Sequence, residues 1–149
     1  MDPAAFPAQP PPANARVADY IAEASAASRQ VILCSPPERW SYGPSLSHKL
    51  DVFGADRGSG PRSLRPALVF LHGGAWSSGY PWWTSFMAPG VRAAGGVLVA
   101  PTHRLGPEHR FPAQMHDAAA AIAWVWTNAE RIAKCASPPA TAPLADRAA

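Results

Sequence analysis

The sequence predicts an α/β fold built on a mostly parallel sheet with flanking helices. Two short runs, ALVFL at 67–71 and the GVLVAP stretch that starts at Gly96, are apolar at consecutive positions instead of alternating. That pattern belongs to strands covered on both faces. The segment from Phe111 to Lys134 carries apolar residues at intervals of three and four, which is amphipathic helical spacing. Strand, helix, strand, helix in chain order is the arrangement that lays strands parallel.

The elements follow in order. With 149 residues the chain holds one modest core. Residues 1–13 are Pro/Ala-rich and expected to be disordered. A helix is predicted from Asn14, a good N-cap, with Val17, Tyr20, Ile21, Ala24 and Ala27 on its apolar face. Two short strand candidates surround the Gly43-Pro44 turn, the better one being Lys49–Phe53, and a Gly/Pro/Ser/Arg linker at 56–66 leads to the strand at 67–71. A short helix near 86–94 ends at Gly95-Gly96. The last helix begins near Pro112 and is read as burying Met115, Ala118, Ala119, Ile122, Val125, Trp126, Ala129 and Ile132. The domain therefore spans 14–134, and 135–149 form a Pro/Ala-rich tail.

The net charge of +3 comes from scattered arginines, not from the clustered basic face that nucleic-acid binding needs, so no nucleic-acid partner is expected. No apolar run approaches a membrane span, and no secretory leader is visible. Cys34 and Cys135 are far apart in the sequence; they form neither a disulfide framework nor a metal spacing, which favours a reducing, cytoplasmic setting. His103, His109 and His116 with Asp117 match no zinc pattern, and no metal is expected. His116 and Asp117 read as a solvated helix face, and Glu108 with Arg104 as a loop-stabilising pair.

The informative stretch is LVFLHGGAW, from Leu68 to Trp76. A buried strand that exits through two glycines can aim backbone N–H groups into a cavity beside the sheet. Such donors hold the negative oxygen formed when a nucleophile attacks an ester or amide carbonyl. Trp76 and Tyr80, just beyond, are candidates for a substrate wall, with packing onto the sheet as the alternative. Trp82, Trp83 and Phe86 read as packing.

LVFLHGGAW resembles the oxyanion-loop motif of α/β-hydrolases of the esterase/lipase branch. HRLGPEHRFPAQMHDAAAAIAWV is similar to the Tyr-Arg-Leu-Ala-Pro-Glu segment of hormone-sensitive-lipase-like esterases, and YGPSLSHKLDVF resembles the entry strands of kynurenine-formamidase-like members. The three stretches come in the family's order, from Tyr42 to about Ala133. The resemblance implies that Gly74 and Ala75 supply oxyanion N–H groups, that Gly73 shapes the turn, and that His72 supports the loop by hydrogen bonding without acting as the base. Thr102-His103 stands where Asp-Tyr is usual, and Gly106 where Ala is usual.

The same resemblance requires a nucleophilic serine in Gly-x-Ser-x-Gly, followed by an acid and a histidine. The sequence contains no Gly-x-Ser-x-Gly. The expected fold is the N-terminal part of the hydrolase sheet, truncated before the nucleophile strand, with none of the triad present. Ester or aryl/N-formyl amide hydrolysis (carboxylesterase or arylformamidase type), without cofactor, is what the family implies. This chain alone is expected to be inactive. The alternative is a non-catalytic product that binds a partner through the exposed edge of strand 67–71, or a relic that is degraded.

Overall fold

The computed structural model of the chain describes residues 9–56 and 65–137. The disorder expected for 1–13, the linker at 56–66 and the tail at 135–149 lie largely outside these residues, and only their described parts enter below. The first helix, α1 (Ala15–Cys34), opens as read: the Asn14 side chain accepts from the Val17 amide at 3.0 Å. Its buried positions are Ala24 and Ser28, with Ile21, Val31 and Ile32 half-buried in line. Val17 and Tyr20, assigned to the apolar face by periodicity, are exposed. Small side chains at 24 and 28 let a 3₁₀ segment, Pro81–Met87, approach closely, and the Phe86 amide donates to Ser28 Oγ at 3.0 Å.

Strands β1 (Glu38–Ser41) and β2 (Lys49–Phe53) pair antiparallel around the Gly-Pro turn, and Arg39 clamps Asp51 across the pair with contacts of 2.6 and 2.7 Å. A two-residue strand, β3 (Ala55–Asp56), follows β2, and then comes β4 (Ala67–Val69). The helix α2 (Ala88–Ala93) leads into β5 (Val97–Pro101). The main sheet runs β1-β2-β5-β4, with β4 parallel to β5 and the other two pairings antiparallel.

β5 is buried at every position, as its composition predicts. β4 is not. It lies at the sheet edge, shorter than 67–71, with Ala67 and Leu68 exposed. β4 has one strand neighbour among the described residues, so the open edge expected for this strand is present, while the expected cover of both its faces is not.

The last predicted helix is two: α3 (Ala113–Thr127) and α4 (Ala129–Lys134), broken at Asn128. Its buried face also differs from the periodic reading. Gln114, Asp117, Ala118, Ala121 and Val125 of α3 and Ile132 of α4 are buried, whereas Met115, Ala119, Ile122, Trp126 and Ala129 are exposed, Trp126 to 83%. Apolar residues cover most of α3's circumference, so spacing alone could not choose the face. The chosen face closes one side of the sheet with Leu50, Val52, Val97 and Val99, and Cys135 joins this cluster. Phe53, Leu98 and Ala88 form the opposite layer, against Val31, Ile32 and Val91. Each such aliphatic side chain contributes roughly 1.5–3 kcal/mol by burial. After α4, β6 (Ala136–Ser137) pairs parallel with β3, so Cys135 is core and the chain stays in the fold beyond Lys134.

One buried carboxylate locks α3. Asp117, read as a solvated surface group, is 2% exposed and receives Arg104 through its backbone amide at 2.9 Å, Nε at 2.9 Å and Nη2 at 2.6 Å. Arg104 thus pairs with Asp117 and not with Glu108, which is exposed. His48 Nε2 sits 3.0 Å from the same carboxylate, at ion-pair distance though off the line of a hydrogen bond. Burial pushes the Asp117 carboxyl up, but the hydrogen bonds from Arg104 and the nearby charges outweigh it and hold the pKa at about 2. The folded chain therefore binds fewer protons here than the unfolded chain between the ordinary 3.8 and about 2, so this stabilisation is complete above that window and lost as pH falls through it. Urea unfolding across pH should show the stability gap between wild type and Asp117→Asn narrowing by about 2 kcal/mol towards pH ~2.

Candidate active site

β4 and β5 end side by side, and their exits build the site. His72 follows β4 and His103 follows β5; the two rings stack with centroids 4.5 Å apart and planes 20° off parallel. His72 Nδ1 lies 3.0 Å from the Gly73 carbonyl and His103 Nδ1 3.0 Å from that of Arg104, so Nδ1–H is the donor in each. Burial drives the His72 pKa down to about 4; the bond to Gly73 opposes this and the neighbouring His103 adds to it. His72 is therefore neutral near pH 7.

The turn beyond His72 is wound tightly. Gly74 has φ +133°, and a Cβ there would stand 1.8 Å from the Ser78 carbonyl oxygen, so the position excludes every other residue. Gly73 is exposed, with open space where a side chain would be. Ala75 and Trp76 then adopt left-handed φ values of 50° and 63°, a conformation that raises the energy of a non-glycine residue by roughly 1–2 kcal/mol. The Gly74 carbonyl binds the winding together: it accepts from the Ser77 and Ser78 amides at 3.0 Å each and from the Ser78 hydroxyl at 3.0 Å. The serine hydroxyls are thereby loop supports. Among the described residues, the amides of Gly73, Gly74 and Ala75 donate to nothing within the protein.

Supports converge from three sides. Gly79 packs so closely that a Cβ would meet the His72 ring at 2.1 Å and the Gly73 carbonyl at 2.5 Å. The Gly106 amide donates to the Trp76 carbonyl at 2.9 Å. Gln9, from the Pro/Ala-rich N-terminus, pairs its side-chain amide with Gly79 in both directions, at 2.6 and 2.8 Å. No periodicity or motif marked Gln9; one polar side chain among prolines was its entire signal.

An open groove of about 310 Å³ runs beside the turn, lined in part by Ala75, Trp76, Ser77, Phe111 and Gln114. Trp76 stands at this groove, 45% exposed, its ring tilted against His103 at 5.5 Å. Tyr80 does not line it; it stacks on Trp82 at 4.2 Å and meets Trp83 edge-on at 5.3 Å. Of the two wall candidates, geometry brings one to the turn. Thr102, one of the departures from the family motif, donates its hydroxyl to the Ser47 carbonyl, and Tyr42 donates to the Thr102 carbonyl at 2.5 Å.

Comparison with known proteins gives the family. Residues 68–141 match a family described as having the alpha/beta hydrolase fold, a span that runs past Ala133, the end of the resemblance read from the sequence. The chain belongs to the α/β-hydrolase superfamily, in its esterase/lipase branch. It is 37% identical over 75 residues to "Carboxylesterase NlhH" of Mycobacterium tuberculosis, covering 48% of this chain and 23% of that protein. To "Esterase LipC" of the same species it is 32% identical over 91 residues, 60% of this chain and 22% of that one. A hyperthermophilic esterase from Pyrobaculum calidifontis superposes with a TM-score of 0.57 at 23% identity, over 78% of this chain and 38% of that one. The chain thus spans less than a quarter of the two curated relatives. No described helix is long and apolar enough to cross a membrane.

The neutral His72 has a measurable consequence. Unfolded, it takes a proton below its ordinary 6.5; folded, it refuses one until about 4. The unfolded chain binds more protons in that window, so stability rises with pH across it. Relative to His72→Gln, the wild type should lose about 3 kcal/mol between neutral pH and pH ~4, read by urea unfolding at each pH.

Proposed function

We propose that this chain carries the oxyanion-binding part of a serine hydrolase acting on small carboxylic esters. The observation that supports this best is the set of unengaged amides at Gly73, Gly74 and Ala75, fixed by a strained, multiply braced turn at the mouth of the Trp76 groove. Backbone donors held in advance stabilise the oxygen that becomes negative in the transition state, at about 3 kcal/mol per donor. His72 positions the turn; its Nδ1–H is engaged by Gly73, and we assign it no role as base. Carboxylic esters are favoured over aryl or N-formyl amides because the matched relatives are named carboxylesterases and esterases. The 149 residues hold no Gly-x-Ser-x-Gly, so a nucleophile, its base and the acid would come from polypeptide outside this sequence. We read this chain alone as inactive and the reaction as cytoplasmic, with free Cys34 and Cys135 in keeping with a reducing setting.

A second reading is a non-catalytic chain that associates through the open edge of β4. It is favoured by the exposure of Ala67 and Leu68 on that strand.

The first reading is tested by a chimera in which this chain's matching segment replaces its counterpart in the mycobacterial carboxylesterase. The chimera should hydrolyse p-nitrophenyl acetate, whereas this chain by itself should show no inhibitor-sensitive turnover. Gly74→Ala in the chimera, which forces the turn away from the Ser78 carbonyl, should lower kcat by about 10²–10³-fold with KM little changed.

A further inference from the structure

We propose that His103 is a positioning residue for the reaction: its ring holds both ends of the turn that presents the amides of Gly73, Gly74 and Ala75. Its link to catalysis rests on the oxyanion reading above, and the measurements below separate the two.

The first observation is a bracket. The His103 ring stacks on His72 with centroids 4.5 Å apart, and it lies 5.5 Å from the Trp76 ring, tilted by 59°. Both separations are those of aromatic rings in contact. His72 immediately precedes the three amides and Trp76 immediately follows them. One imidazole therefore touches the residue on each side of the triplet. The Gly106 amide, three residues further along the same segment, donates to the Trp76 carbonyl at 2.9 Å. The left-handed φ values of Ala75 and Trp76, 50° and 63°, persist only where the surroundings impose them. The bracket is where the surroundings do so.

The second observation is that His103 stands on ground fixed from outside the turn. Thr102 donates its amide to the Lys49 carbonyl at 2.8 Å, and its own carbonyl accepts from Tyr42. Arg104 is held by Asp117 of α3, through its amide at 2.9 Å and its guanidinium at 2.6 Å. The residues on both sides of His103 are thus tied to β2, to Tyr42 and to α3. None of these ties passes through residues 72–76. The rotation of the ring is set by Nδ1–H, which donates to the Arg104 carbonyl at 3.0 Å.

The third observation tells which part of the ring acts. Nε2 is buried and bonds to nothing among the described residues. With Nδ1 engaged by its own neighbour, the ring meets His72 and Trp76 through aromatic surface alone. His103 is 3% exposed, so these contacts are closed within this sequence and need no polypeptide outside it. Histidine stands here where tyrosine is usual in the family, so the contact is this chain's own.

Two variants separate ring from hydrogen bond. His103→Phe keeps an aromatic ring in the bracket and loses the donor; His103→Asn keeps a donor near the Nδ1 position and loses the ring. In the full 149-residue chain, the Cα and Cβ carbon-13 shifts of Ala75 and Trp76 report their left-handed backbone. His103→Phe should retain that signature and His103→Asn should lose it, with the methyl resonances of Val97 and Val99 showing that the core stays folded. Trp76→Leu, at a half-exposed side chain, removes the other arm of the bracket and should loosen the Ala75 signature without any change in the core. In the esterase chimera, His103→Asn should lower kcat about 10–10²-fold with KM little changed, because misplaced donors act on the transition state. His103→Phe should recover most of that loss. A left-handed signature that survives both His103→Asn and Trp76→Leu, or one lost equally in His103→Phe and His103→Asn, would overturn the proposal. A chimera that never turns over ester, beside carbon shifts that behave as stated, counts against the hydrolase reading alone and supports the bracket.

Discussion

The contact on which the site depends is the stack of His72 on His103. Parallel neighbours β4 and β5 end at the same level, and whatever follows them must share a small space. Two imidazoles, each with Nδ1–H given to a nearby carbonyl, fill it face to face. The stack fixes where the chain leaves β4, and so where Gly73 and Gly74 begin their turn. Burial keeps His72 neutral, which removes charge repulsion from the join.

A turn with consecutive left-handed non-glycine residues is held by its surroundings, not by its own preference. The bracing is graded by distance from the turn. Ser77 and Ser78 close it from within on the Gly74 carbonyl, Gly79 seals it against His72 without room for a methyl group, and Gly106 and Gln9 tie it to segments remote in sequence. Each brace lets the amides at 73–75 stay unengaged, because the carbonyl side of the turn carries the bonding. The same division makes those amides the chemically available surface.

The parts of this arrangement that were legible in the sequence are those set by local patterning. Asn14 announces a cap, GVLVAP announces a buried strand, and LHGGAW announces a turn with open amides. What was illegible depends on partners. Leu68 reads as buried because an unbroken apolar run is normally covered on both faces, and what covers each face of β4 is a property of the whole fold. Asp117 reads as surface because a carboxylate on a helix is normally solvated; its burial follows from Arg104, thirteen residues earlier, which no helical period connects to it. Tyr80 reads as a wall because it follows the turn, yet the 3₁₀ segment supplies Trp82 and Trp83 as closer company.

The misplaced face of α3 shows how a polar group can decide what apolar periodicity leaves open. Two rows on this helix could serve as its buried side, and the exposed one, with Met115, Ile122 and Trp126, is the larger in volume. Hydrophobic burial by itself would favour rolling the helix to bring that row down onto Val97 and Val99. Such a rotation would carry Asp117 away from Arg104 and His48, breaking the bonds at 2.6–2.9 Å that hold its charge. A buried carboxylate that loses its partners destabilises by about 3–5 kcal/mol, a cost of the same order as the extra burial gained by exchanging the two rows. The Asp117 clamp therefore sets the rotation of α3. By setting it, the clamp leaves Trp126 in solvent.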